Sequence, residues 1–521
     1  MTDAILTAPP TITRPSTQRR LLDRRRLGFL AVGLVLAVGL GLRLWIMTGK
    51  LGTIDSDEAL TGLMARHLWN GEFRAFMWRI NYQGTISTYP VALSTKLLGD
   101  TQFALELPFL LMSAGATAVL WRIGTRFLTA THAVIGALIF WMWPAVFVWI
   151  GVKGLIFYVP TMLFGLAMIL CAQRAVEEKT RFVDWSAAGL FAGLAWWTSP
   201  NVSYFLAPLG VWLLVFHWRA LWPPRFLVAA PFAIVGALPW IWNDVEYGFD
   251  SLKVDPGLAH GSYLDHLKYY FTHAFPVSLD LRGAFDGRWI GGSVSGGLGK
   301  VLYLVVLAAL AVGVVLGLQK KSVAAIGVLT TPFVFALVPF ASTPETQWVG
   351  NARYFYWFTP FVALTIAALA RKVAGTVAVA GFVAITTVWG FTRLEAYDDR
   401  IGVSPPLDNV IRVLERDGRT TAFASFWISG RLTYESSERI TAVATDIGPT
   451  GRQLEDKVRN SSLPAYVFFA DDPFGGLEAL RQRAAAIGAH LKEIPVDGKF
   501  IVVEPDRTMI APPAWDISSR P

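Results

Sequence analysis

Three carboxylates fall within four residues at Asp55-Ser-Asp57-Glu58, just past the outer end of a run of about twenty apolar residues, Leu27 to Met47. Lys50 is the only charge between that run and the cluster. A carboxylate at a membrane face can take the proton of a weak nucleophile as it attacks a lipid-borne substrate. The placement points to an enzyme.

Local structure accounts for two of the three acids. Leu60, Leu63, Met64, His67 and Leu68 share one stripe at helical spacing over residues 55–69. Asp55 suits the N-cap of that helix, and Glu58, three residues later, completes a capping box. Asp57 lacks a capping role, and as a first-turn acid it gains only from the helix dipole.

The elements around this cluster are those of a membrane protein. The 521 residues are 54% hydrophobic and 16% charged, with 21 tryptophans, a balance foreign to a soluble chain of this length. A net charge of +8 does not signal nucleic acid, because the basic residues lie in short clusters between apolar runs. The one cysteine, Cys171, excludes an intramolecular disulfide and a cysteine metal site. Residues 1–26, with Arg14, Arg19, Arg20, Arg24, Arg25 and Arg26, read as a basic, disordered cytoplasmic tail. The apolar run behind them is too long for a cleaved signal peptide, and no small-x-small site follows it, so it reads as an uncleaved anchor.

Apolar windows near 27–47, 102–121, 132–150, 154–172, 184–198, 201–217, 226–242, 300–318, 322–341, 354–370 and 373–391 predict an α-helical polytopic protein with about eleven transmembrane helices. The basic clusters at Arg24–Arg26, Arg122 with Arg126, Arg174 with Lys179 and Arg181, Arg219 with Arg225, Lys320 with Lys321, and Arg371 with Lys372 all fall on one side when windows are counted alternately. The N-terminus is then cytoplasmic. Residues 48–101, 243–299 and 342–353 and everything after 392 lie outside. Two amphipathic stretches in the first outer loop, one over 55–69 and one ending at Leu98, are expected to lie in the headgroup layer.

Residues 27–391 thus form the membrane module, and 392–521 are expected to hold a small extracytoplasmic α/β domain. Its strands read as Ala422–Trp427, Ile440–Ala444, Ala465–Phe469 and Phe500–Val503, with helices at Leu407–Arg416 and Leu477–Ile487. Asp471-Asp472 before Pro473 reads as a helix start or turn. No nucleotide pool exists outside, so an outward-facing enzyme needs an energised substrate delivered by the membrane.

The order of these features resembles the GT-C superfamily of membrane glycosyltransferases. The likeness is greatest to the branch of protein O-mannosyltransferases and lipid A aminoarabinose transferases (glycosyltransferase family 39-like), over residues 27–391. Asp57-Glu58-Ala59 after the first span carries it, with Trp69-Asn-Gly71, Tyr82-Gln-Gly84 and Tyr89-Pro90 in the first loop, and Arg353-Tyr354 with Pro360 later. Two positions depart from the pattern. Glu106-Leu-Pro108 stands where relatives often read Arg-Leu-Pro, and Lys153 where they tend to carry an arginine, which keeps a cation but loses bidentate geometry. The C-terminal domain also differs from the larger appendages of several relatives.

The resemblance implies transfer of a sugar from a polyprenyl-phosphate carrier to a hydroxyl on a glycan, lipid or protein, with inversion, on the extracytoplasmic face of the plasma membrane. It implies Asp57 as general base, with Asp55 and Glu58 as alternates or orienting neighbours. The departing phosphate gains charge and calls for fixed cations. Lys153 and Arg353 are the candidates, with Tyr354 beside Arg353 and, more weakly, Arg288 beside Trp289; snorkelling to the interface is the plain alternative for either cation. His260, His266 and His273 are irregularly spaced and read as solvated loop residues, not metal ligands. No cofactor or metal is expected, the alternative being a divalent ion at Asp55-x-Asp57. Two other classes compete: a transporter or lipid-linked sugar flippase, whose route would carry intramembrane charge, and a non-catalytic envelope assembly protein. Arg43 and Glu106 are the notable charges within spans, both near the outer end.

Overall fold

Every apolar window carries helix in the computed structural model, which describes residues 17–78, 82–177, 182–221, 224–252, 262–292, 295–337, 349–396, 405–445, 452–472 and 475–509. The chain enters the bundle through α1 (Thr17–Thr48). The segment after it folds α2 (Ser56–Leu68) and α3 (Thr88–Leu98), and α4 (Gln102–Gly124) returns across the bundle. The window at 132–150 is cut in two, α5 (Ala130–Met142) and α6 (Ala145–Ile150), at Pro144, which has no N–H to continue a helix. After α7 (Tyr158–Glu177), α8 (Phe182–Thr198) and α9 (Ser203–Phe216), the window at 226–242 becomes α10 (Ala229–Gly236) and α11 (Leu238–Glu246), bent by 59° where Pro239 begins the second piece.

The long connection between α11 and the next bundle helix holds α12 (Tyr263–Tyr269) and α13 (Phe275–Val277). The bundle then closes with α14 (Gly297–Gln319), α15 (Val323–Leu337), a tight 3-10 segment at Val349–Phe358 running into α16 (Thr359–Ala367), and α17 (Val373–Glu395). Among the described residues, 5 helices are long and apolar enough to cross a membrane alone, or up to 6 if the bent pair is one span. Pro144 shortens α5, and the 3-10 segment shortens α16. Arg43, on α1, is buried rather than aimed along a route. Its Nη1 donates to the Gly39 carbonyl at 3.1 Å and the Trp141 carbonyl at 2.8 Å, and its guanidinium lies 3.7 Å from the Trp141 ring centroid. It pins α1 to α5.

The C-terminal domain is α/β as expected, with a 5-stranded sheet in the order β2-β1-β3-β5-β4. Strands β1 (Thr421–Ala424), β2 (Thr441–Ala444) and β3 (Ala465–Phe469) run parallel, while β5 (Phe500–Pro505) is antiparallel to both β3 and β4 (Leu491–Val496). The helices α18 (Asp408–Arg416), α19 (Phe426–Glu435), α20 (Arg452–Arg459) and α21 (Gly476–Ile487) cover its two faces. Leu407, Val410 and Leu414 bury one side of the sheet, and Leu454, Val458, Leu477 and Leu480 the other. Asp472 serves as the expected helix start, its Oδ1 and Oδ2 accepting from the N–H groups of Gly476 at 3.0 Å and Leu477 at 2.9 Å. Two elements differ from expectation. β4 was not foreseen, because Lys492, Glu493 and Pro495 mask an edge strand. The first strand stops at Ala424, and Phe426-Trp427 instead open a helix after Ser425.

Candidate active site

The α2 N-terminus is built as its sequence dictates. The Glu58 N–H donates to Asp55 Oδ1 at 3.0 Å, and Glu58 Oε2 accepts from the Asp55 N–H at 3.2 Å, closing a capping box. Glu58 has a second task. Its other oxygen accepts from the Gly154 N–H at 2.5 Å, and the carboxylate pairs with the Lys153 ammonium, where both side chains are essentially without solvent exposure (0% and 1%). Burial pushes the Glu58 carboxyl up to about 7 against the pull of Lys153.

Lys153 also donates to the Thr53 carbonyl at 2.7 Å. Thr61 donates to the Gly154 carbonyl at 2.9 Å, Ser87 to that of Ile156 at 2.7 Å, and Ser113 to that of Gly151. These bonds fix the 151–157 turn against α2. Glu106 lies fully buried beside the same group, and its charge acts on both Lys153 and Glu58. The two departures from the family pattern, Glu106 and Lys153, therefore meet in one buried cluster.

Asp57 points elsewhere. Arg353 Nη1 donates to its Oδ2 at 3.0 Å. The Arg353 guanidinium lies 5.5 Å from the Tyr354 ring centroid, and its buried Nε has no hydrogen-bond partner among the described residues. This pair stands in a cavity of about 220 Å³ walled by Trp78, Tyr82, Phe157, Tyr158, Phe426 and Trp427. Behind the wall, Tyr158 stacks on Phe157 (4.0 Å) and Trp357 (5.6 Å), so the aromatic surface is rigid. The 3-10 segment brings Arg353 and Tyr354 to the same rim. The structure thus gathers Asp57, Arg353 and Tyr354 at one cavity, with Asp55 and Glu58 supporting from α2.

Part of that wall belongs to the C-terminal domain. Helix α19 packs across α2, with Ser56 Oγ donating to the Phe426 carbonyl. A Cβ on Gly62 would come within 2.4 Å of the Tyr434 ring, so only glycine permits this approach. Glu438 reaches back to take Arg66 Nη1 at 2.9 Å and His67 Nε2 at 3.1 Å, while Arg66 also holds Asp100 at 2.6 Å and His67 Nδ1 lies 3.1 Å from Glu72. Helix α2 is therefore enclosed between bundle and domain, not laid in the headgroup layer as its periodicity implied. Its polar face is taken up by a partner some 370 residues away. By contrast α3 keeps Leu93, Leu97 and Leu98 exposed, as an interfacial helix would.

The remaining candidates lie apart from the cavity. Arg288 is half-exposed with Asp286 at 4.0 Å and does not line it. His266 is buried and His273 is stacked on Tyr269 at 4.7 Å, so these are packed loop residues rather than the solvated ones expected; burial and nearby Arg282 push His273 down to about 4. His260 lies outside the described residues. Among the described residues no group of three His, Cys, Asp or Glu side chains could hold a metal ion. Asp55 is engaged in the capping box and Asp57 with Arg353. Sequence reasoning missed Phe426, Trp427 and Tyr158. The aromatic pair at the end of a short strand was the one signal that could have drawn attention.

Residues 85–242 match the family model of dolichyl-phosphate-mannose-protein mannosyltransferases. The fold matches ArnT from Cupriavidus metallidurans bound to undecaprenyl phosphate, at 13% identity and TM-score 0.59, covering 93% of this chain and 99% of that one. The apo form of the same enzyme matches at 12% identity and TM-score 0.58, over 92% and 98% of the two chains. No curated protein matches in sequence. The fold is that of the GT-C superfamily of membrane glycosyltransferases. The chain shares the ArnT fold, with a small α/β domain of 5 strands following the helical module.

Proposed function

We propose that the protein transfers a sugar from a polyprenyl-phosphate carrier to an acceptor hydroxyl, with inversion, on the extracytoplasmic face of a membrane that it crosses several times from a cytoplasmic N-terminus. The observation that supports this most is the Asp57–Arg353 pair inside an aromatic cavity, a base and a cation side by side. The carrier class follows from the mannosyltransferase family match and from the undecaprenyl phosphate in the ArnT structure.

In this reading the acceptor oxygen attacks the anomeric carbon while the bond from that carbon to the phosphate oxygen breaks. The phosphate leaves with the bonding electrons, and the acceptor proton passes to Asp57. Arg353 neutralises the charge growing on the phosphate, with Tyr354 beside it. A monophosphate leaving group needs less neutralisation than a diphosphate, and the proposal runs through these side chains without a metal ion or cofactor. Lys153, held by Glu58 and Thr53, positions α2 against the 151–157 turn instead of touching the donor. Phe426 and Trp427 offer flat faces to a sugar ring from the acceptor-facing domain.

The test uses purified protein in lipid discs, a panel of radiolabelled polyprenyl-phosphate sugars and crude envelope acceptor. Consumption of one donor, absent in Asp57→Asn, is expected. If no donor is consumed, even with divalent ions added, transport or assembly becomes the better account.

A further inference from the structure

At the other end of the bundle lies a second cavity that the proposed chemistry does not use. Helix α4 begins beside the site, where Gln102 bonds the Met47 carbonyl, and runs 23 residues, roughly 34 Å, away from it. The turn after α4, the ends of α14 and α16, and the start of α15 enclose a space of about 340 Å³.

Three features give that space a chemical character. Lys320 and Arg371 stand at it as cations with no ion-pair partner among the described residues, and no carboxylate lines it. Thr365 lines it too, and its hydroxyl is buried (3% exposed) with no hydrogen-bond partner among the described residues. A buried hydroxyl left without a partner is unfavourable and is ordinarily satisfied by water or a ligand. Finally, the remaining wall is mostly apolar, with Leu316 and Leu364 facing the space.

Helix dipoles do not decide the sign. The C-termini of α14 and α16 disfavour an anion, while the N-termini of α5 and α15 favour one. His132 donates from Nε2 to the Ala370 carbonyl at 2.9 Å and holds the wall in place. The sign is therefore set by Lys320 and Arg371. At Gly313 the helices α14 and α16 touch, since a Cβ there would lie 2.9 Å from the Thr365 methyl, and this contact forms one wall of the cavity.

We infer that this cavity binds the phosphate of an anionic membrane lipid, with Lys320 and Arg371 on the phosphate, Thr365 donating to it, and the apolar wall taking the adjoining lipid. Basic pockets between helices at a membrane interface suit such headgroups. The site lies in the leaflet opposite Asp57, so it is separate from the donor site proposed above and its test needs no glycosyl transfer.

The experiment measures retained lipid by native mass spectrometry after reconstitution with phosphatidylglycerol or phosphatidylcholine, using the full chain. Wild type should retain phosphatidylglycerol in preference. Lys320→Gln with Arg371→Gln should cut that retention by about tenfold or more, because both charge-assisted contacts to the phosphate are lost. Thr365→Val, which keeps the shape, should cut it by a smaller factor. Equal retention of the two lipids, or unchanged retention in the double variant, would overturn the inference. Displacement of the lipid by millimolar inorganic phosphate would overturn the assignment to a lipid occupant. Both cations are exposed, so the variants fold, and unchanged melting temperature in detergent checks this.

Discussion

Arg353 Nη1 donates to Asp57 Oδ2 across 3.0 Å, although the two residues are 296 positions apart in the chain. The bond joins the 3-10 segment ahead of α16 to the first turn of α2. It brings together the acid that capping left unexplained and the cation placed at a span end.

Replacing Arg353 tests the second half of that pair. Arg353→Ala should lower kcat about 10²- to 10³-fold, the usual loss when one stabiliser of developing oxyanion charge is removed. Arg353→Lys should recover only part, because an ammonium cannot hold Asp57 and a phosphate in the fork geometry of a guanidinium. Steady-state rates with a fixed donor provide the measurement. Full recovery in the lysine variant would mean that charge alone matters there.

Lys153 is expected to act through stability. Removing one partner of a buried ion pair leaves the other charge uncompensated and costs about 3–5 kcal/mol. Lys153→Ala should therefore melt well below wild type, and Lys153→Met combined with Glu58→Met should regain part of the loss. A variant that melts normally but needs many-fold more donor would return Lys153 to the phosphate.

Much of this arrangement was legible in the sequence. The apolar windows, the capping box at Asp55 and Glu58, and the α/β character beyond Pro405 all depend on local spacing, and local spacing is what a chain displays openly. The burial of α2 was not legible. His67 read only as part of the apolar stripe and Arg66 carried no signal, yet both are matched by Glu438 from another domain. Lys153 read as an outer-facing cation because nothing in its neighbourhood names Glu58 as its partner. Phe426 and Trp427 read as the end of a strand, since apolar pairs of that length do not distinguish strand from helix start.

The domain contact should depend on pH in both directions. Hydrogen bonds from His67 and Arg66 hold the Glu438 carboxyl down at about 2, and Glu438 with Glu72 raises the His67 imidazole above its ordinary value of 6.5. The Glu438 contribution is complete above the ordinary 4.5 and fades as pH falls towards about 2. The His67 contribution is complete below 6.5 and fades as pH rises through the raised value. Thermal stability should peak between 4.5 and 6.5, and Glu438→Gln should flatten that peak. A variant with the same pH profile as wild type would show that the contact does not rest on this carboxylate.

Trp427 tests the contribution of the C-terminal domain. Trp427→Ala removes an aromatic face from the cavity, and stacking faces of this kind contribute about 0.5–1.5 kcal/mol. The acceptor KM should rise roughly threefold to tenfold while donor KM stays put. A change confined to donor KM would place this wall on the carrier sugar instead.

The most direct test of the account is single-turnover transfer with saturating polyprenyl-phosphate sugar, wild type against Asp57→Asn, with melting temperature recorded on the same samples. Asparagine keeps the shape of Asp57 and an oxygen that can accept from Arg353, so the variant should remain folded, melting no more than a few degrees below wild type. It should bind donor normally and transfer at least about 10²-fold more slowly, as expected when a general base is lost. An Asp57→Asn protein that is stably folded and transfers sugar at the wild-type rate would contradict the central claim.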